Sequence, residues 1–415
     1  MPDIQLFDNR LNTRSPYARF EKKRLGLYFH VPFCRAKCAY CDFYSFVPRD
    51  PAVQERYVNA LLLHMQSYKD GARDYVADTV FIGGGTPTTL PPELLLRLIR
   101  GIKQNFHLTK GAEFTVEANP ATVDMGLLNR LRRAGVNRLS MGLQSANNDE
   151  LSALSRIHRR EDFEESFRAA RRAKIDNINV DLMFGIPYQT KRSLLRTLRY
   201  VVHLAPEHIS LYDLILEPGT PLARRQHTLP FPSEDEEADM YLTAVEFLAQ
   251  NGYAQYEVSN FARPGYQCMH NQKYWNCEEY LGLGASAHSY FMDNRFSFVR
   301  DLNRYMTGLE IPASRVKLTD ANDTISPQER IGEYIMLRFR LTAGLKDKEF
   351  ARRFGFPFSQ VYGKKMQRYI DGGFATYNDG VYALTPQGMF VSNYILSDLL
   401  DFEDLGALPL FDGMK

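Results

Sequence analysis

The N-terminal half of the chain alternates between short apolar segments, rich in β-branched residues, and amphipathic helical patterns. The candidate strands span residues 26–30, 79–82, 113–117, 138–141, 178–183 and 208–214. Leucines and aromatic residues at three- and four-residue spacing predict helices at 53–68, 92–104, 125–134, 162–173 and 193–204. Such alternation requires parallel strands joined by right-handed crossovers. The sequence therefore predicts an α/β fold, an open or partial TIM-like (β/α)6 barrel.

A chain of 415 residues is too long for one comfortable core, so we expect a second, smaller domain. We predict an N-terminal extension (1–24), the partial barrel (25–230), a connecting segment (231–325) and a C-terminal domain (326–415). In the last region helical patterns precede a hairpin at 378–380 and a helix with Thr385 as N-cap and Pro386 as its first residue. This order predicts a small winged-helix-like α+β domain.

Composition excludes several classes of function. A net charge of +2 and the lack of a basic stripe beside the winged-helix-like region give no sign of a nucleic-acid partner. The N-terminus lacks the basic start and apolar core of a signal peptide. No uncharged apolar run approaches the ~18 residues of a membrane helix. We therefore expect a cytoplasmic protein in a reducing compartment.

Three cysteines, Cys34, Cys38 and Cys41, follow the first predicted strand within eight residues. A loop that turns back on itself can aim three thiolates at one point, and a cubane iron–sulfur cluster takes thiolate ligands. Three ligands leave one of its four irons open to a substrate or cofactor. The spacing therefore predicts a [4Fe-4S] cluster with reactive chemistry.

The alternatives are a structural zinc site and unrelated buried thiols. Structural zinc normally takes four ligands, often in two separated pairs, and no second Cys-x-x-Cys pair exists here. His30 would be an unusual fourth ligand. Three cysteines cannot pair among themselves in disulfides, and the only others are Cys268 and Cys277. The motif and its context favour the cluster.

Polar or glycine residues also stand at the ends of the later strands: Gly84, Gly85 and Thr86 follow the second, Glu117 closes the third, Gln144 follows the fourth and Asp181 lies late in the fifth. In barrels the active site forms at the C-terminal ends of the strands, so these residues are expected to converge with the cysteine loop. Taken singly, each polar side chain could serve only to fix a loop. The glycines could form only a tight turn.

The C-x3-C-x2-C pattern resembles the signature of the radical S-adenosylmethionine (SAM) proteins, in which the open iron is chelated by the methionine moiety of SAM. The resemblance covers about residues 25–400 and extends to the coproporphyrinogen-oxidase-like family. It implies SAM contacts at Tyr28, Gly84, Gly85, Thr86, Glu117, Gln144, Arg156 and Asp181. Ser155 and Tyr188 depart from the family pattern, which usually has glycine at both positions.

Two branches of that family are distinguished by short motifs. The oxygen-independent oxidases have a fourth cysteine two residues beyond the third, where this chain has Phe43. The Cys-Asp-Phe sequence and the His-Asn-x-x-Tyr-Trp motif that begins at His270 resemble the heme chaperone branch. That resemblance implies heme as a ligand and acceptor hemoproteins as partners. It leaves open whether the acceptors are membrane-bound respiratory enzymes and whether the chain forms a homodimer.

The region around His270 is rich in aromatic residues, with nine between Tyr253 and Phe291. A porphyrin needs flat apolar surfaces and an axial nitrogen, so His270 is a candidate heme ligand. An aromatic core with a hydrogen-bonded histidine is the alternative, and composition alone favours it.

The sequence therefore predicts a heme chaperone that carries a [4Fe-4S] cluster and SAM, with no assigned catalytic residue. The alternative is an enzyme that acts on a tetrapyrrole, by decarboxylating coproporphyrinogen III or by methylating and opening heme.

Overall fold

The computed structural model describes residues 22–311 and 317–400. The predicted N-terminal extension lies outside the described residues, apart from its last three. So does the end of the predicted C-terminal domain, residues 401–415. Within the described ranges no helix has the length and apolarity needed to cross a membrane.

Six parallel strands form the barrel, and each prediction falls on one of them. They are β1 (Lys23–Val31), β2 (Tyr75–Gly84), β3 (Leu108–Ala118), β4 (Arg138–Gln144), β5 (Ile178–Phe184) and β6 (His208–Asp213). The helices of this part are α1 (Ala52–Tyr68), α2 (Pro92–Asn105), α3 (Met125–Arg133), α4 (Asn148–Ala153), α5 (Arg160–Arg172) and α6 (Lys191–Leu204). The predicted α/β fold with a partial (β/α)6 barrel is confirmed.

The barrel sheet extends further than predicted, because the segment after residue 230 adds strands to both of its edges. The short helix α7 (Pro221–Arg224) precedes this segment. The segment itself holds α8 (Glu234–Gln250), β7 (Ala254–Gln255), β8 (Asn260–Ala262), α9 (Met269–Trp275), β9 (Tyr280–Leu283), β10 (His288–Phe291), β11 (Asn294–Phe298), α10 (Leu302–Glu310) and β12 (Thr319–Thr324). In the described ranges the sheet has twelve strands, in the order β12-β11-β10-β9-β1-β2-β3-β4-β5-β6-β8-β7. The strand β9 runs parallel to β1.

Apolar side chains at helical spacing bury one face of each barrel helix. On α2, Leu95, Leu98, Ile99 and Ile102 are all almost completely buried against β1 to β3. Burying each such side chain stabilises the fold by about 1.5–3 kcal/mol. Local signals fix where the helices begin: at α8, Ser233 and Glu236 form a reciprocal capping box. The sheet and its helices therefore hold the strand ends in fixed positions.

The C-terminal domain has the predicted winged-helix-like α+β structure. Its elements are α11 (Pro327–Arg338), β13 (Leu345–Lys346), α12 (Asp347–Phe354), α13 (Phe358–Asp371), β14 (Ala375–Asn378), β15 (Val381–Leu384), α14 (Pro386–Phe390) and α15 (Ser392–Leu399). The strands form a separate sheet in the order β13-β15-β14. The Thr385 side chain accepts a hydrogen bond from Gly388 N at 3.2 Å, as the predicted N-cap requires. The domain shares a hydrophobic core with β4 to β6.

Candidate functional site

The cysteine loop after β1 is held by backbone hydrogen bonds to three parts of the fold. Cys34 N donates to Phe46 O at 3.0 Å, which folds the loop back on itself. Ala39 N donates to Leu154 O beyond α4, and Ala39 O accepts from Leu222 N in α7. Cys34, Cys38 and Cys41 are free and partly exposed. The loop therefore has a defined path that keeps all three sulfurs within reach of an incoming group.

A chain of polar contacts connects two of these cysteines. Cys34 Sγ lies 3.9 Å from Thr86 Oγ1, which accepts a hydrogen bond from Asn119 Nδ2 at 2.6 Å. Arg156 Nη2 donates to Asn119 Oδ1 at 2.7 Å, and Arg156 Nη1 donates to Cys38 Sγ at 3.3 Å. Asn119 follows β3 but was not assigned from the sequence.

Burial and charge act in opposite directions on the thiols. Burial raises the pKa of Cys34 and of Cys41, and the cation of Arg156 partly opposes this at Cys34. Among the described residues, no three His, Cys, Asp or Glu side chains converge as a single metal ion requires. A cubane makes a looser demand, since each thiolate binds a different iron. Three thiols on one anchored loop, with a guanidinium beside one of them, fit such a cluster.

The glycine loop after β2 packs directly against the start of the cysteine loop. Gly85 N donates to Val31 O and Thr86 N donates to Phe33 O, at 2.9 and 2.7 Å. A Cβ on Gly85 would lie 2.7 Å from Phe33 O, so only glycine fits there. Gly84 has a φ of +113° and its N–H donates to Glu117 Oε2 at 3.0 Å. The loop therefore joins the cysteine segment to the carboxylate of β3.

Two carboxylates lie on alternate strands of the barrel, Glu117 near the C-terminal end of β3 and Asp181 in the middle of β5. Burial and the nearby Asp181 raise the pKa of Glu117 from 4.5 to about 8. Burial also raises the pKa of Asp181, although hydrogen bonds from Asn179 Nδ2 at 2.8 Å and Ser140 Oγ at 3.1 Å oppose the shift. Two acidic groups in this environment favour a cationic ligand, which would ease the ionisation of both.

The remaining predicted SAM residues are Gln144, Arg156 and Tyr28. Gln144 ends β4 at a bulge, with a φ of +68°, a strained conformation of the kind often found at functional sites. Arg156 also donates to Gly142 O at 2.8 Å, while its Nε is buried without a partner in the described part of the chain. Tyr28 OH bonds to His30 Nδ1 at 3.0 Å. Gln144 and Arg156 thus meet beside Gly142, whereas Tyr28 and Asp181 lie inside β1 and β5, short of the strand ends.

His270 lies elsewhere, on α9, and its side chain is buried in the core. Its Nδ1 is 2.8 Å from Thr79 Oγ1, its Nε2 is 2.8 Å from Tyr274 OH, and its ring stacks on Phe81. Only 1% of the residue is exposed. Both ring nitrogens are already used, so the geometry does not support His270 as an axial heme ligand. It matches the hydrogen-bonded core histidine that the sequence left as the alternative.

The raised pKa of Glu117 leads to a prediction about stability. Between about pH 5 and pH 8 the folded carboxyl keeps its proton while the unfolded one loses it, so the free energy of unfolding should fall as the pH rises. The slope from this group is at most about 1.4 kcal/mol per pH unit. In the Glu117→Gln variant that contribution should vanish. Urea unfolding at several pH values, under anaerobic conditions, measures it. Parallel curves for the two proteins would contradict the assigned shift.

A partial (β/α)6 barrel with three cysteines in the loop after its first strand defines a radical SAM protein. Residues 28–201 match the model of the radical SAM superfamily, and residues 325–391 match the HemN C-terminal domain. The coproporphyrinogen III oxidase HemN of Escherichia coli, a radical SAM enzyme, has the same fold. The two structures superpose with a TM-score of 0.80 over 93% of this chain and 92% of that one, at 23% identity.

Proteins of similar sequence show to which family of radical SAM proteins the chain belongs. The heme chaperone HemW of Bacillus subtilis is 35% identical, and the match covers 90% of this chain and 98% of the relative. The heme chaperone HemW of Escherichia coli is 34% identical, with 90% and 97% covered. The chain therefore belongs to the HemW family of heme chaperones. Membership of the radical SAM superfamily implies a [4Fe-4S] cluster and SAM.

Proposed function

We propose that this protein binds heme and transfers it to acceptor hemoproteins. The observation that carries the proposal is the match to curated heme chaperones over nearly their whole length. Phe43 supports it: it occupies the position of the oxidases' fourth cysteine, and 70% of its residue surface is exposed. A large exposed apolar side chain beside the cysteine loop suits contact with a flat apolar ligand.

The proposal includes two resident groups and their residues. Cys34, Cys38 and Cys41 hold the cluster. Tyr28, Gly84, Gly85, Thr86, Glu117, Gln144, Arg156 and Asp181 form the SAM site. When bound, the cluster supplies an open iron and a source of one electron. The buried carboxylates and Arg156 provide charges of both signs for a zwitterionic ligand, and the unpartnered Nε of Arg156 is a donor that such a ligand can satisfy.

The proposal gives His270 a positioning role in place of iron ligation. Its bond to Tyr274 OH fixes a tyrosine that reaches the opening beside the cysteine loop. The His-Asn-x-x-Tyr-Trp motif then acts through Tyr274.

The same proposal covers the domains and the partners. We propose domain boundaries at residues 25, 231 and 326. We also propose a cytoplasmic location, a homodimer, and membrane-bound respiratory enzymes as the heme acceptors. In that scheme the C-terminal domain, packed on β4 to β6, is a surface for acceptor proteins.

A paired assay tests the function. The anaerobically reconstituted protein should bind heme and pass it to an apo-hemoprotein, and it should show no turnover of coproporphyrinogen III with SAM and a reductant. Heme transfer is followed by the Soret band of the acceptor, and turnover by the appearance of protoporphyrinogen IX. The Escherichia coli oxidase serves as the positive control for turnover. Accumulation of protoporphyrinogen IX by this chain would replace the chaperone by an oxidase.

A further inference from the structure

A cavity of about 400 Å³ opens between the cysteine loop and the strands β9 and β10. Five aromatic side chains contribute to its wall: Tyr28, Phe43, Tyr44, Tyr274 and Tyr280. This volume lies in the range of about 300–1,000 Å³ that is typical of small-molecule sites. Aromatic faces supply stacking and dispersion to a flat apolar ligand. The cavity shares Tyr28 with the proposed SAM site but lies on the side of β1 that faces β9.

His288 is the histidine at this cavity whose ring is free. It is exposed, and its ring makes no hydrogen bond within the described ranges. His30 also lines the cavity, but its Nδ1 bonds to Tyr28 OH and its Nε2 to Tyr44 O, at 3.0 and 2.9 Å.

The backbone fixes where His288 stands. Gly282 on β9 packs so closely on it that a Cβ there would lie 2.1 Å from His288 O. At Gly284, with a φ of +126°, a Cβ would lie 2.8 Å from His30 O, so the β9–β10 turn packs closely on the end of β1. A ligand on this strand is therefore held by the sheet and not by a mobile loop.

A cation lies at the rim of the same cavity. Arg300 Nη2 donates to Asp42 O at 2.9 Å, and its guanidinium lies 6.0 Å from the centre of the Tyr44 ring. Its Nη2 also lies 3.6 Å from Asp42 Oδ1 in an exposed ion pair, and 55% of the arginine side chain remains exposed. The guanidinium can therefore pair with an incoming carboxylate while it keeps its bond to the loop.

We infer that this cavity is the heme cargo site, in which the aromatic side chains contact the macrocycle, His288 is an axial ligand of the iron and Arg300 pairs with a propionate. The inference rests on the proposed function and specifies its site. A single protein ligand, at the start of β10 and exposed to solvent, suits a cargo that must later be released. It also places the heme next to the proposed cluster, since Asp42 and Phe43 directly follow Cys41.

Heme titration of the cluster-loaded protein tests the axial ligand. His288→Ala should weaken heme binding about tenfold or more and shift the Soret band, while iron content and SAM affinity stay as in wild type. Added imidazole should restore a histidine-like spectrum. The matched control is His203→Ala, an exposed histidine near the end of α6, which should behave as wild type. His270→Ala should weaken binding but keep the wild-type ligation spectrum.

Binding of heme dimethyl ester tests whether Arg300 pairs with a heme propionate. Arg300→Ala should weaken binding of heme but leave binding of the dimethyl ester, which lacks free carboxylates, as it is in wild type. Equal loss for both ligands would remove Arg300 from propionate recognition. If wild type binds heme and His288→Ala has the same spectrum and affinity, the site is wrong and the chaperone proposal stands. If wild type binds no heme, the proposed function itself fails.

Discussion

Replacing Cys34, Cys38 or Cys41 by alanine is expected to abolish the brown chromophore of the reconstituted protein. Iron analysis should then fall well below the roughly four atoms per chain that one cubane provides. The loop offers the cluster no fourth thiol to compensate, because the next position of the oxidase pattern is Phe43. Absorption and iron content after anaerobic reconstitution measure the loss.

The two remaining cysteines are the matched controls. Cys268 is buried at the start of α9, 3.5 Å from Glu113 Oε1, and burial raises the pKa of Cys277 to about 11. Neither contributes to the loop, so Cys268→Ala and Cys277→Ala should retain the chromophore. A stable protein that contains only zinc after the same treatment would overturn the cluster assignment and, with it, the proposed SAM site.

The second large effect is expected at the SAM site. Asp181→Ala or Arg156→Ala should weaken SAM binding about tenfold or more, since losing one hydrogen bond to a charged group costs ~1.5–3 kcal/mol. Calorimetry on cluster-loaded protein measures the affinity. Iron content must be measured alongside it, because Arg156 also contacts Cys38 Sγ.

Conservative variants of Asp181 and Arg156 distinguish the effect of side-chain charge on SAM binding from the effect of side-chain shape. Asp181→Asn keeps the volume that Ser140 and Asn179 contact but removes the charge, and Arg156→Lys keeps the charge but loses the planar fork. Asp239→Ala, which removes a surface carboxylate paired with Lys191, should bind SAM as wild type does. Wild-type affinity in both alanine variants would exclude Asp181 and Arg156 from the site.

The sequence predicted the barrel well because its signals are long and periodic. Five of the barrel helices are long enough to show a clear helical period, and the six apolar strands alternate with them in regular order. The six-residue helix α4 and the strands β7 to β12, of two to six residues, were missed because such short segments carry too little pattern. The insertion of β9 beside β1 depends on a pairing across some 250 residues, which no local rule specifies.

The sequence indicated which residues belong to the candidate site, but it did not indicate which of them contact each other. The bonds that join Thr86, Asn119 and Arg156 form between distant strand ends, so only the folded chain reveals them. The role of His270 could not be predicted either, because a histidine that binds heme iron and a histidine buried in the core look alike in sequence. Ser155 and Tyr188 show the opposite: both have a left-handed backbone, with φ of +56° and +64°, which explains why related chains usually place glycine there.

The backbone anchors of the cysteine loop also bear on how strongly a cluster is held. Ordering a residue costs about 1–2 kcal/mol of conformational entropy, and here much of that loss occurs during folding, when Cys34, Ala39 and Phe46 form their main-chain bonds. The loop then loses less conformational entropy when the cluster binds. More of the free energy of the iron–thiolate bonds therefore contributes to the affinity for the cluster. The main chain of the loop is therefore largely ordered before the proposed cluster binds.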